Sequence, residues 1–125
     1  MGPELRHDIG LVRESPDQLV HDVGRLSDEA LAGPSLLPGW SRAEVVGHLI
    51  GNAEGLTRLL EWARTGIRTP QYFDQEGKDE GIAAAIGQPA RTLATRVRDA
   101  SDEFVAVAET LTGADWTMRV RLGVN

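Results

Sequence analysis

The feature that most constrains the fold is a stretch from Ser41 to Arg64 that carries every local signal of one long helix. Ser41 and Glu44 have the S-x-x-E spacing of a capping box, and Trp40 precedes the cap, where a hydrophobic staple to Val45 is expected. A glycine shortly after Arg64 is suited to end the helix. Apolar residues recur at the spacing of one buried helix face: Val45, Val46, Leu49, Ala53, Leu56, Leu60 and Ala63.

Another helix is predicted upstream, where apolar residues recur at helical spacing over residues 5–26. Pro16 interrupts this pattern, and Ser15 with Gln18 forms a second capping box. The helix therefore either kinks at the proline or begins there. Ser27 offers a further N-cap, after which a short helical turn is expected.

The second half of the chain is predicted to hold one more long helix. Residues 69–81 are polar and loop-like, and a short helix is expected over residues 78–86. Pro89 suits the first position of a helix whose apolar spacing continues to Gly113. The tail over residues 116–124 alternates apolar and basic side chains in a strand-like pattern.

Three amphipathic helices with short connections predict an all-α protein, an antiparallel helical bundle in a single domain over residues 1–125. A chain of this length buries roughly two-thirds of its unfolded surface, which is enough for one core. Its 41% hydrophobic and 26% charged residues are typical of globular domains. Three apolar faces alone make an incomplete bundle, so we expect the fourth helix of a four-helix bundle to be missing from this chain.

Charge and cysteine content exclude several classes of function. The formal net charge of −6 argues against nucleic-acid binding, which needs a clustered cationic face. Without cysteine the chain has no thiolate nucleophile, so a reactive thiol would have to come from a cofactor. The polar N-terminus does not read as a signal peptide and no long apolar run predicts a membrane span. We therefore expect a soluble, cytoplasmic protein.

Of the three histidines, His48 is the best placed for chemistry. It lies at the rim of the apolar face of its helix, whereas His7 and His21 point away from the apolar residues around them. Neighbouring glycines leave space around His48, so its imidazole could bind a metal in a bundle cavity. Alternatively, His48 is a core-edge histidine hydrogen-bonded to a backbone carbonyl or to Asn52. No second histidine at H-x-x-x-H spacing decides between these interpretations.

Two other features have ordinary structural explanations. The acidic run from Asp74 to Glu80 could supply paired carboxylates, but its loop setting and lack of periodicity favour a solvated surface. Trp40 is better explained as the staple of the following helix than as a platform for a substrate. The glycines show no phosphate-binding pattern.

Four motifs resemble the mycothiol-dependent maleylpyruvate isomerase family. They are SLLPGWSR at residues 35–42, HLIGNA at 48–53, WARTG at 62–66 and TPQY at 69–72. A weaker similarity continues through the proline that opens the last long helix to the basic tail. The resemblance implies the N-terminal metal-binding domain of that family, a four-helix bundle of the DinB/YfiT-like type.

The resemblance also implies a site and a reaction. His48 would be the first ligand of a divalent metal, usually zinc, and the other two ligands would come from an E-x-x-x-H motif on a fourth helix, expected beyond Asn125. Mycothiol would supply the thiol for cis–trans isomerisation of a small anionic substrate. By position, Asn52 could hydrogen-bond near the metal, and Arg64 or Arg68 could bind the carboxylates of the substrate.

The chain as a whole has three interpretations. With two of three metal ligands absent, the chain is expected to be incomplete as a catalyst on its own. Alternatively, it is a non-catalytic helical module that forms homo-oligomers through its exposed core face, with His48 as a structural remnant. A truncated product that folds poorly is the third interpretation.

Overall fold

The computed structural model describes residues 17–115, which are helical over most of their length. In chain order the helices are α1 (residues 17–24), α2 (Asp28–Ala32), α3 (Arg42–Thr65), α4 (Gln75–Ala83) and α5 (Ala90–Thr110). A bridge between Pro34 and Ser41 is the single β-type pairing among the described residues. The all-α prediction is therefore confirmed. The predicted kink or helix start at Pro16 and the strand-like tail lie outside the described residues.

The caps predicted for the central helix are present in α3. The Ser41 hydroxyl accepts a hydrogen bond from the Glu44 amide at 3.2 Å, and the Glu44 carboxylate accepts one from the Ser41 amide at 3.1 Å. At the other end Gly66 takes the left-handed conformation, with φ of 73°. Its amide donates to the Trp62 carbonyl. Because both ends are fixed by local bonds, sequence signals alone place this helix to within a residue or two.

Of the two shorter helices, α2 begins as predicted, whereas α4 begins earlier than predicted because an aspartate caps it. Ser27 caps α2 as expected, its hydroxyl accepting from the Ala30 amide at 3.1 Å. The loop setting predicted for the acidic run was wrong, because α4 already begins at Gln75. Asp74 is its N-cap, with a carboxylate oxygen 2.6 Å from the Gly77 amide nitrogen that donates to it. The acidic side chains themselves are exposed, as expected for a solvated surface.

The last long helix, α5, is one residue shorter at its start and three at its end than the sequence suggests. Pro89 is its N-cap, with φ of −61° and ψ of 147°, instead of its first helical residue. The helix ends at Thr110, before extended backbone at Leu111. Leu111 is buried although it lies beyond the helix. Its apolar side chain therefore fits the helical spacing of the sequence, which made the helix look longer than it is.

The core lies between α3 and α5, which run in the same direction. Near the start of α3, Val46 and Ile50 belong to a buried cluster with residues from the first half of α5, including the fully buried Leu93. Near the end of α3, Leu60 packs against a second cluster around Val105. The first half of α3 therefore packs against the first half of α5, and the second half of α3 packs against the second half of α5.

The first helix, α1, runs antiparallel to α5. The antiparallel order predicted for the three long helices therefore applies to α1, whereas α3 and α5 are parallel because a long connection joins them. Gly24 at its end lies beside Ala94, and Asp17 at its start forms an ion pair with Arg98, one turn further along α5. Because α3 and α5 are parallel, the intervening residues 66–89 have to return along α3, and α4 is part of that return. No helix of the described part of the chain is long and apolar enough to cross a membrane.

Candidate functional site

A glycine stripe on α3 determines how closely the returning segment approaches it. Gly47, Gly51 and Gly55 are four residues apart and share one face of the helix. A Cβ atom at Gly47 would stand 2.7 Å from the Ile82 carbonyl oxygen, and one at Gly55 would stand 2.5 Å from Cγ of Gln71. Only glycine fits at these two positions. The glycine stripe therefore allows the return segment, residues 66–89, to pack directly against the backbone of α3.

Beside the middle of this stripe a cavity of about 260 Å³ opens between α3 and the return. A Cβ at Gly51 would have its nearest neighbour, the Tyr72 hydroxyl, at 3.8 Å, so the packing is looser there. The volume is just below the roughly 300–1,000 Å³ typical of small-molecule sites, which suits a small ligand. The cavity is lined by Gly47, His48, Gly51, Glu54, Arg58, Tyr72, Phe73, Gly77, Lys78, Gly81 and Ile82.

His48 lines this cavity with one ring nitrogen unsatisfied. The residue is half-buried, and its Nδ1 atom is buried without a hydrogen-bond partner among residues 17–115. Trp40 contacts the imidazole edge-on, with ring centroids 5.6 Å apart and planes at 82°. A buried polar atom without a partner costs about 1–3 kcal/mol, so a water, a ligand or an ion bound at Nδ1 would stabilise the site.

Asn52 makes no hydrogen bond with His48 Nδ1 in the described residues. The Asn52 side-chain oxygen accepts a hydrogen bond from the amide nitrogen of Gln71, at 3.2 Å. Asn52 thereby holds the return against α3. Whether it also acts near a metal stays a prediction.

Arg58 fixes the same segment from the next turn of α3. Its Nε donates to the carbonyl oxygens of Pro70 at 3.2 Å and Gln71 at 3.1 Å, and a terminal nitrogen also donates to Gln71. Gln71 is 7% exposed, so these bonds satisfy backbone that water reaches poorly. Although Arg58 lines the cavity, its guanidinium is largely occupied by the fold.

Tyr72 and Lys78 form the opposite wall. The Lys78 ammonium lies 5.2 Å from the centroid of the Tyr72 ring, within the range of a cation–π interaction. Burial raises the pKa of the Tyr72 hydroxyl above its ordinary value, the Arg58 charge opposes this rise, and the Glu54 charge adds to it. The hydroxyl is consequently a neutral hydrogen-bond donor at physiological pH.

The other predicted site residues lie away from the cavity. Arg64 is exposed near the end of α3 and pairs with Glu61. Arg68 is exposed beyond that end. At 1.5 Å per residue, Arg64 is about 24 Å along the helix from His48. Their predicted role in binding an anion stays untested, and neither side chain lines this cavity.

The remaining histidines do not approach His48 in the described part of the chain. His21 is exposed on α1, and His7 lies outside the described residues. No group of three histidine, aspartate or glutamate side chains that could hold a metal is found within residues 17–115. Of the ligand set implied by the resemblance, the described structure therefore presents His48.

Sequence reasoning missed the return segment as the wall of the site. The TPQY motif contains Gln71 and Tyr72 without indicating their place at the cavity, and no motif marks Arg58 or Lys78. One signal was available, because glycines four residues apart in a helix interior cost about 1 kcal/mol each and indicate close backbone approach.

Comparisons with known proteins agree with this architecture. The model of one family, the mycothiol maleylpyruvate isomerase N-terminal domain, matches residues 12–125. Two solved structures are similar in fold, a mycothiol-dependent maleylpyruvate isomerase with 24% identity and a histidine-to-alanine mutant of such an isomerase with 23%. Both give a TM-score of 0.85 over 94% of this chain, which spans 49% of theirs. A search of curated proteins gave no significant match.

Proposed function

We propose that this chain, which belongs to the mycothiol maleylpyruvate isomerase N-terminal domain family, contributes a metal-binding face to a thiol-dependent isomerisation or a related thiol transfer. The observation that carries the proposal is the buried, unpartnered Nδ1 of His48, a residue that lines a cavity of about 260 Å³. Metal-binding sites in helical bundles are built from such inward-facing side chains.

The chemistry of His48 fits a divalent metal. Its neutral imidazole offers a nitrogen lone pair, the donor that zinc prefers alongside thiolate and carboxylate. The Trp40 ring lies against the imidazole and restricts its rotation, which favours one orientation of the donor atom. When bound, zinc would favour the thiolate form of a thiol cofactor at neutral pH.

The rest of the cavity would hold and orient the reactants. Tyr72 and Lys78 face the space beside His48, and the glycine stripe keeps side chains out of it. Mycothiol is supported as the thiol by the family, and it fits a chain without cysteine. Zinc as the metal and a cytoplasmic location are proposed with it. Because the chain spans about half of its solved relatives, the complete activity is proposed for this domain only in combination with the remaining ligands.

Isothermal titration calorimetry with zinc tests the role of His48. Wild-type protein should bind zinc weakly, His48→Ala should lose this binding, and His21→Ala should retain it because His21 is exposed on α1. Circular dichroism checks that each variant is folded. Equal zinc affinity in wild type and His48→Ala, or no binding in either, would remove His48 from the proposed site.

A non-catalytic module that oligomerises is the second candidate, and one observation favours it. Between α1 and α3 lies a second cavity of about 220 Å³, and Leu49 at its edge is 38% exposed. Apolar side chains predominate in its lining, which includes Leu19, Val23, Leu26, Val45 and Val46. Light scattering should then detect a dimer that Leu49→Gln dissociates. A wild-type monomer at high concentration contradicts this alternative.

A further inference from the structure

Lys78 has an unusual position for a lysine. It is the single lysine in a chain with twelve arginines, and it is half-buried on α4. Its ammonium lies over the Tyr72 ring, and both residues line the cavity that contains His48. An ammonium at the wall of a cavity is stabilised by an anion beside it.

The acidic residues around Lys78 do not supply that anion. Lys78 makes no ion pair within residues 17–115. On α4, Asp74 accepts the Gly77 amide as N-cap, and Asp79 accepts from the Gln75 side chain at 2.9 Å. The other acids of α4 are exposed on faces other than the cavity wall. Lys78 therefore lines the cavity without an ion pair among the described residues, although the Glu54 carboxylate of α3 lines the same cavity.

Tyr72 adds a directional donor beside this charge. Its hydroxyl makes no hydrogen bond with another residue of the described structure, and burial keeps it protonated. A carboxylate accepts hydrogen bonds through two oxygens, and charge-assisted bonds are the stronger class. Arg58 is a poorer candidate because its donors already serve the carbonyls of Pro70 and Gln71.

We infer that Lys78 and the Tyr72 hydroxyl form a carboxylate-binding subsite that selects small organic acids for the cavity beside His48. This inference rests on the proposed function and adds to it the residues that hold the anionic substrate. The Glu54 carboxylate lines the same cavity, so it disfavours a second anionic group on its side. The subsite therefore orients an acid as well as binding it.

Maleate is a suitable probe, because it is a small carboxylate that can be titrated without any metal. In buffer containing EDTA, nuclear magnetic resonance should show maleate shifting residues around Lys78. Its uncharged diamide should bind far more weakly. Because a hydrogen bond to a charged group contributes about 1.5–3 kcal/mol, Lys78→Gln should weaken maleate binding roughly 10- to 100-fold. Lys78→Arg, which keeps the charge, should restore most of it.

Two controls separate local from general effects. Arg91→Gln removes one positive charge from the exposed surface of α5 and should leave maleate affinity unchanged. Tyr72→Phe keeps the ring under Lys78 but removes the hydroxyl, and should weaken binding by a smaller factor. Unchanged melting temperatures show that the variants are folded.

Several results overturn the inference. Absence of maleate binding to the wild type does so, as do equal affinities of wild type and Lys78→Gln, or equal losses in Lys78→Gln and Arg91→Gln. Because no metal is present, these outcomes are independent of the zinc titration. Loss of zinc binding by His48→Ala with maleate affinity insensitive to Lys78 refutes the subsite alone.

Discussion

Gly47→Ala should destabilise the protein, although alanine is the better helix former. Alanine in a helix interior is favoured over glycine by about 1 kcal/mol. The added Cβ would lie 2.7 Å from the Ile82 carbonyl oxygen and 2.8 Å from Cβ of Ala85, which is fully buried. Both neighbours are rigid, so overpacking should cost about 2–3 kcal/mol. The net expectation is a loss of about 1–2 kcal/mol.

Gly51→Ala is the matched control on the same helix face. Its Cβ would meet nothing closer than 3.8 Å, which is an ordinary contact. The helix-propensity gain should then remain, stabilising the protein by about 0.5–1 kcal/mol. The two variants make the same chemical change four residues apart, so their difference of about 2 kcal/mol isolates the approach of the return segment.

Urea unfolding followed by circular dichroism measures both variants. The midpoint of Gly47→Ala should fall and that of Gly51→Ala should rise, with m-values unchanged. If Gly47→Ala proves as stable as Gly51→Ala, the return does not pack against α3 at Gly47. The close contact that positions the cavity wall would then be refuted.

Three further predictions concern single residues. Tyr72 is the one tyrosine, so absorbance at 295 nm should give a titration midpoint above about 10 in the folded protein, returning toward 10 in urea. Because the folded-state pKa of Tyr72 is the higher one, its contribution to stability should be fully present below about pH 10 and be lost as pH rises further, and Tyr72→Phe should lack this loss. Arg58→Lys should cost about 1–3 kcal/mol in urea unfolding, since it leaves carbonyls of the return unsatisfied. Ser41→Ala should lower stability by about 1 kcal/mol, a loss that Ser41→Asp should largely avoid.

The α3 helix could be predicted from sequence because its determinants are local. The Ser41 hydroxyl and the Glu44 carboxylate bond within one turn, so their spacing in the chain equals their spacing in the structure. The position of His48 on that helix follows from the same periodicity. Local signals were weaker for α4, where the aspartate that begins the helix stands among other acids that resemble a solvated loop.

The cavity wall could not be predicted in this way. Gln71 meets Asn52 across nineteen residues of sequence, and this contact depends on the direction in which residues 66–89 run. That direction follows from the parallel packing of α3 and α5, a tertiary property without a local motif. The identity of the residues around His48 therefore became visible only with the structure.

In most helical bundles the facing helices supply both the core and the ligand site. Here the parallel arrangement of α3 and α5 assigns core packing and part of the cavity wall to different segments. The interface between the two helices carries the core clusters, whereas the return path carries Tyr72 and Lys78. Substitutions at Tyr72 and Lys78 can alter charge and shape at the cavity, because neither residue belongs to the core clusters. Related chains could therefore differ at these two positions at little cost in folding, whereas the glycine stripe has to be preserved.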